Sequence, residues 1–379
     1  MRIAYVTDFD PTDPRYESGL APAMTCALES QGIEVTRVHV RATPWLRTAS
    51  VIRKLAYARK GKTYLGKRSR ARIASYRRQV THVLERRRTD AILGPNPSPL
   101  AALTCTQPIV LWTDTMAGGL IGFYPETLSF TEETIRDSRR ADQACLDHCA
   151  LAIFSSRWAA AVATRDYAVD PAKVKVVPFG ASVEEPLGAK EVRELIRSRG
   201  TRRCELLFLG GDWRRKGGPF AMEVTSELRR LGIEAQLTTI GPPTSVVSNV
   251  PAHIRMLGFV SRRTPGGRRV LWDALAKTDF LILPTVADCT PNAVAEAMSL
   301  GVPCMTTDVG GLPSLISDDI NGRMFHLGVS AMSWAEHIAD VFGNRAIYDQ
   351  LAMNAYDQYR TRLNWPLCAA QVKELLEDL

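Results

Sequence analysis

The sequence predicts an α/β fold of two doubly wound domains, each a parallel sheet covered by helices. Three observations carry this. Short apolar runs alternate with helix-like segments along the chain. The alternation starts afresh in the middle of the chain, with the architecture recurring but not the sequence. Gly-rich turns follow several strand ends, where sheets of this kind hold their ligands.

The elements follow in order. "RIAYVT" (2–7) reads as a first strand, "GLAPAMTCALESQG" as a helix ending at Gly32, and "IEVTRVHV" (33–40) as the next strand. "DAILGP" (90–95), "PIVLWTD" (108–114), "ALAIFSS" (150–156) and "VKVVPFG" (174–180) continue the sheet. A second series opens with "CELLFLGG" (204–211) and the helix "PFAMEVTSELRRLG" (219–232). Strands at 234–241, 254–260, 278–285 and 302–308 follow, with a helix over 291–301 that begins at Pro291 and ends at Gly301. The expected division is a first domain over 1–182, a second over 183–360, and a final segment, 361–379, whose helix returns to the first domain. With two such domains, the expected site is the cleft between them.

Composition bounds the function. The 379 residues are 45% hydrophobic and 23% charged, with no low-complexity tract. No apolar run approaches the roughly 20 residues of a membrane span. The start, "MRIAYVTDFDP", reads as a strand and its loop rather than a signal peptide. The expected address is therefore cytoplasmic. Of eight cysteines only Cys145 and Cys149 are close, in "CLDHC". With His148 they fit one helical turn and have no second paired cluster, so they read as reduced thiols rather than a zinc site. The net charge of +8 is uneven: Arg47 to Arg88 holds fifteen Lys or Arg and one acid, Glu85, and the rest of the chain is net acidic.

"ADCTPNAVAEAMSLGVP" (287–303) holds two acids, Asp288 and Glu296, with seven residues between them. On one helix, eight positions turn through about 800°, so the acids would not share a face. Pro291 fits the first turn, which leaves Asp288 in the preceding loop and Glu296 in the second turn. Between them, free N–H groups near Asn292 and Ala293 favour an anion. "FLGGDWRRKGG" (208–218) adds a strand ending in Gly210 and Gly211, then Arg214, Arg215 and Lys216, bases suited to a diphosphate. "DVGGLPSLI" (308–316) is a further Gly-Gly turn after a strand.

In the order and spacing of these motifs the chain resembles the retaining glycosyltransferases of the GT-B group, of the glycosyl transferases group 1 or family 4 type. "SSRWAAAVATRDYAVDPAKVKVVPFGA" (155–181) resembles the family's linker-side segment. The resemblance implies two Rossmann-like domains facing a central cleft, the first binding acceptor and the second the nucleotide-sugar. It places Asp288 at the transferred sugar and Glu296 at the nucleotide ribose. It assigns Thr290, Asn292 and Ala293 backbone contacts to sugar and phosphates, Arg215 and Lys216 the diphosphate, and Gly258 and Phe259 the base. Ser18 and Gly19 match the first domain's donor-phosphate loop. The chain departs from the family's pattern at three positions. Asp288 stands where Glu is usual. Gly211 stands where many members have Arg. Asp114, in "WTDTM", stands where many have a His at the donor sugar. These departures bear on which sugar is carried.

The implied reaction is a front-face displacement from a UDP- or GDP-sugar to a glycan, lipid-linked or small polar acceptor. The leaving diphosphate takes the acceptor's proton, and Arg215, Lys216 and a helix N-terminus stabilise its charge. No metal and no cofactor beyond the nucleotide-sugar co-substrate are expected. Asp8-Phe9-Asp10 has the acid spacing of metal-dependent transferases of another fold, but follows the first strand too early and reads as loop chemistry. The alternatives are a sugar-nucleotide epimerase or phosphorylase of the same fold, or a non-catalytic basic protein that binds membrane or nucleic acid.

"KRSRARIASYRRQVTHVLERRR" (67–88) has Ile73, Tyr76, Val80, Val83 and Leu84 at helical spacing beside a basic face. Two readings stand: a surface helix packed on the first domain, or an anionic membrane surface or acceptor site, on the cytosolic face, within the basic segment 47–88. No nucleic-acid module is recognisable, so no nucleic acid is expected as partner.

Overall fold

A computed structural model describes residues 1–13, 19–183 and 186–379. The chain forms two compact units: Met1–Phe179 with Trp365–Leu379, and Gly180–Asn364.

The first unit holds a six-stranded sheet of β1 (Arg2–Thr7), β2 (Glu34–His39), β3 (Ala91–Gly94), β4 (Ile109–Thr113), β5 (Leu151–Phe154) and β6 (Val174–Val176). Its order is β2-β1-β3-β4-β5-β6, parallel throughout. The central strands are apolar on both faces, as a sheet covered by helices on each side requires. Alternation along β1 sends Ala4 and Val6 into one core cluster and Ile3 and Tyr5 into the other. The helix Trp365–Glu377 lays Trp365, Cys368, Ala369, Val372 and Leu376 into the second cluster beside Leu20, Met24 and Leu28 of the helix Leu20–Ser30. Trp365 meets Trp112 edge-on, with ring centroids 5.9 Å apart.

The basic helix spans Arg70–Leu84. Its apolar residues Ile73, Tyr76 and Val80 are buried in the first cluster, with Val83 and Leu84 packed against it. That settles one alternative: this apolar face covers the domain's own core. Just before it, Arg68 reaches the buried Asp142 at 2.7 Å, which also accepts from Tyr167 Oη at 2.9 Å. The exposed apolar face belongs to another helix, Pro44–Ala58, which the sequence reading did not single out. It buries only Leu46 and exposes Trp45 (64%), Val51 (55%), Ile52 (62%) and Leu55 (58%).

The second unit holds β7 (Cys204–Leu209), β8 (Ala235–Ile240), β9 (Ile254–Met256), β10 (Phe280–Leu283), β11 (Cys304–Thr307) and β12 (Gly322–Phe325). The sheet is parallel in the order β12-β11-β10-β7-β8-β9. The strands end earlier than the apolar runs suggest: β7 stops at Leu209 because the chain turns at Gly210 and Gly211. The edge strand β12, "GRMF", is too short and polar to read from the sequence. Among the described residues, no helix is long and apolar enough to cross a membrane. Also among them, no group of three or more His, Cys, Asp or Glu is placed to hold a metal ion. Cys145 and Cys149 are buried with sulfurs 3.6 Å apart.

Candidate active site

In the second sheet β7 has β8 on one side and β10 on the other, so chain order reverses between β7 and β10. Open α/β sheets bind ligands at the carboxyl ends of the strands flanking such a point. The loops leaving β7 and β10 meet there. Val286 N donates to Arg215 O at 2.9 Å, and Thr285 Oγ1 to the same oxygen at 3.1 Å. Arg215 Nη1 returns a bond to Ala287 O at 2.6 Å. Gly217, with φ of 79°, lies so close under the second loop that a Cβ there would fall 2.0 Å from Pro284 O. Only glycine fits both that backbone and that approach.

This docking sets the charges. Lys216 Nζ forms an ion pair with Asp288 Oδ2, and Arg215 Nη1 stands 3.8 Å from the same oxygen. Arg215 also pairs with Asp212 at 3.4 Å. The side chains of Arg215, Lys216 and Asp288 are all largely buried. Gly311 N donates to Asp288 O at 3.2 Å, which ties the turn after β11 to the loop that carries the acid.

Asp288 lies in the loop, and the helix Asn292–Ser299 begins one residue after Pro291, which serves as its cap residue without a side-chain cap. Its first N–H groups, at Asn292 and Ala293, have no partner within the helix by geometry. Glu296 sits in the second turn and is buried. Burial pushes its carboxyl up from the ordinary range, opposed by the neighbouring Arg262. Arg262 holds it with both nitrogens: Nη2 meets Oε2 at 2.8 Å and Nη1 meets Oε1. The pairing with Glu296 raises the Arg262 guanidinium against the opposing effect of burial.

The other end of this helix is held by Arg199, buried after the helix Ala189–Ser198. Its guanidinium donates to Leu300 O at 2.6 Å, Gly301 O at 2.7 Å and Tyr348 Oη at 3.0 Å. These carbonyls are ones a helix C-terminus leaves without internal partners. Neither Arg199 nor Arg262 was among the residues singled out from sequence. Arg262 carried a signal, since it lies in the basic run "SRRTPGG" directly after an expected strand; Arg199 carried none.

The remaining expected residues fall as follows. Gly211 lies in the loop after β7, with nothing within 4 Å of where a Cβ would stand. Gly258, with φ of 70°, accepts from Gly241 N at 2.9 Å, and Phe259 beside it is 79% exposed. Thr290 lies between Asp288 and Pro291 in the loop before the site helix. Gly19 and Asp114 belong to the first unit: Gly19 caps the helix Leu20–Ser30 with φ of 83°, and Asp114 follows β4 directly. Ser18 lies outside the described residues.

Comparison with known proteins follows the same lines. Residues 203–344 match the family Glycosyl transferases group 1. A D-inositol 3-phosphate glycosyltransferase of Paenarthrobacter aurescens is 25% identical over 217 residues, 55% of this chain and 52% of that protein. An Escherichia coli UDP-Gal:α-D-GlcNAc-diphosphoundecaprenol α-1,3-galactosyltransferase is 22% identical over 175 residues, 44% of each chain. The chain thus spans about half the length of the curated relatives it matches. Among solved structures, Anabaena Alr3699/HepE in complex with UDP and glucose superposes with a TM-score of 0.66 at 15% identity, covering 100% of both chains. At that identity the likeness is one of fold.

Proposed function

We propose that this chain is a group 1 glycosyltransferase, a reading supported by the match of residues 203–344 and by the GT-B fold, and that it moves a sugar, with retention of configuration, from a UDP-sugar to a glycan or lipid-linked acceptor. The observation that carries the reading is the ion-paired cluster of Lys216, Arg215 and Asp288 at the switch point of the second sheet, beside a helix N-terminus. A nucleotide diphosphate has the charge to draw Lys216 and Arg215 to itself. That frees Asp288 to accept hydroxyls of the transferred sugar. The leaving diphosphate gains charge as the glycosidic bond breaks, and the two cations with the N–H groups of Asn292 and Ala293 stabilise that charge most in the transition state. It then takes the acceptor's proton. The cations stand where a metal would act, so we read the transfer as metal-independent. A UDP donor is favoured by the UDP complex of the HepE fold relative and by the UDP-galactose named for the E. coli one.

The acceptor reading draws on the helix Pro44–Ala58. Its exposed Trp45, Val51, Ile52 and Leu55, with Arg47, Lys54, Arg59 and Lys60 around them, have the character of a helix lying in an anionic lipid surface. A lipid-linked acceptor would be met there.

The test is a thermal-shift panel of UDP, GDP, ADP and their sugar conjugates, with and without EDTA, on wild type and Glu296→Ala. A ligand that binds only the folded site raises its stability. The expected result is an EDTA-insensitive shift with the uridine series that Glu296→Ala abolishes, followed by NMR detection of a product with retained anomeric configuration. No shift at millimolar nucleotide would overturn the donor site, and an inverted product would overturn retention. Conversion of the donor sugar without an acceptor would favour an epimerase.

A further inference from the structure

We propose that Arg262 is a positioning residue for the donor's ribose: gripping Glu296 with both guanidinium nitrogens, it holds that carboxylate charged and oriented to accept the two ribose hydroxyls. This rests on the reading of Glu296 as the ribose acid.

The geometry makes the case in three steps. First, the Glu296 side chain is 3% exposed and that of Arg262 35%, so the guanidinium covers an acid that has almost no water of its own. Its nitrogens meet one carboxylate oxygen each, the paired-fork arrangement that fixes orientation as well as charge. Second, the other charged groups of the site are engaged elsewhere. Lys216 and Arg215 meet Asp288, and Arg268, on the helix Pro265–Lys277, donates to Arg262's own carbonyl at 3.2 Å. The charge on Glu296 therefore depends on Arg262. Third, a buried carboxylate without a cation takes up a proton rather than stay charged. A vicinal diol donates two hydrogen bonds. An ionised carboxylate has acceptor positions left on both oxygens after the fork is made, whereas the protonated acid turns one oxygen into a donor.

Arg262 lies 34 residues from Glu296 in sequence, in the loop between β9 and the helix Pro265–Lys277. That loop also carries Gly258 and Phe259, the residues expected at the base. One segment would then serve two neighbouring parts of the nucleoside.

The experiment is titration calorimetry with UDP and with 2′,3′-dideoxy-UDP on wild type, Arg262→Met, Arg262→Lys, Glu296→Gln and the Arg262→Met/Glu296→Gln double variant, each checked by thermal melt. Arg262→Met is expected to weaken UDP about tenfold at neutral pH, the scale of a lost charge-assisted hydrogen bond. The loss should shrink as pH rises and Glu296 ionises unaided, and Arg262→Lys should restore part of it. The dideoxy nucleotide should bind all variants alike. In the Glu296→Gln background, Arg262→Met should add nothing. Unchanged UDP binding by Arg262→Met overturns the proposal. So does equal weakening of the dideoxy nucleotide, or a further loss in the Glu296→Gln background, since either means that Arg262 touches base or diphosphate directly. Wild type that binds UDP with Glu296→Gln unaffected removes the ribose role of Glu296 while the donor site stands. Wild type that binds no nucleotide removes the donor site itself.

Discussion

Gly217 and Pro284 lie in contact across the switch point of the second sheet, 2.0 Å being left between the carbonyl oxygen of Pro284 and the place of a Cβ on Gly217. The neighbour is backbone and cannot rotate away, and the glycine's φ of 79° is itself disfavoured for other residues. Gly217→Ala should therefore destabilise the protein by at least about 2 kcal/mol, combining left-handed strain with the clash, and should displace Arg215 and Lys216. Gly211→Ala is the control. Its added methyl meets open space, so stability should change by less than about 0.5–1 kcal/mol. Urea unfolding of the two variants reads the difference; equal stabilities would contradict this account of the loop contact.

Lys216 is ion-paired with Asp288, and on the proposed reading it exchanges that carboxylate for the donor's diphosphate. Lys216→Ala should lower kcat by about 100-fold or more, the scale of removing one group aimed at a developing charge. Lys216→Arg should retain part of the rate. Steady-state kinetics with the sugar nucleotide that the thermal-shift panel selects would show it, and a rate within twofold of wild type would remove Lys216 from the mechanism.

Asp279 begins the approach to β10 and is buried, accepting Glu205 N at 2.8 Å. Burial pushes its carboxyl up to about 6 from 3.8. The folded state therefore holds this proton more tightly than the unfolded state. Between roughly pH 4 and pH 6 stability should fall as pH rises, and above that the deficit is constant. Asp279→Asn keeps an oxygen to accept the Glu205 N–H and has no charge to bury. It should melt higher than wild type at pH 7.5 by an amount worth about 1–2 kcal/mol and match it near pH 4. A variant less stable than wild type at pH 7.5 but equal to it near pH 4 would show instead that the charged form is needed.

The helix Pro44–Ala58 is open to a direct test with vesicles. Wild type should float with vesicles containing phosphatidylglycerol and not with pure phosphatidylcholine, and added salt should weaken the binding. Ile52→Ser/Leu55→Ser should abolish flotation while leaving the melting temperature nearly unchanged, because both side chains are already exposed. Flotation that survives this change would move the contact elsewhere.

Much of this molecule was legible in its sequence. Strands buried on both faces, such as "AILG" and "IVLWT", read as apolar runs because a covered parallel sheet has no polar side. Glycines at strand ends and Pro291 ahead of a helical run read through their backbone restrictions alone. Asp288 in a loop and Glu296 in the second turn followed from that proline. By contrast, "GRMF" of β12, equally short but half-buried at an edge and interrupted by Arg323, offers no apolar run to read.

What the sequence by itself determined was therefore local: which segments extend, which coil, where the chain turns, and which charges stand at strand ends. What only the tertiary structure decided was pairing at a distance. Helical spacing in 67–88 shows an apolar face but not what covers it, and packing assigned that face to the core while leaving the one on Pro44–Ala58 open. Lys216 finds Asp288 72 residues away and Arg262 finds Glu296 34 residues away because parallel crossovers bring the ends of distant strands to one edge of the sheet. Periodicity carries no information about such partners, since nothing in either segment alone lowers its energy until the sheet has formed.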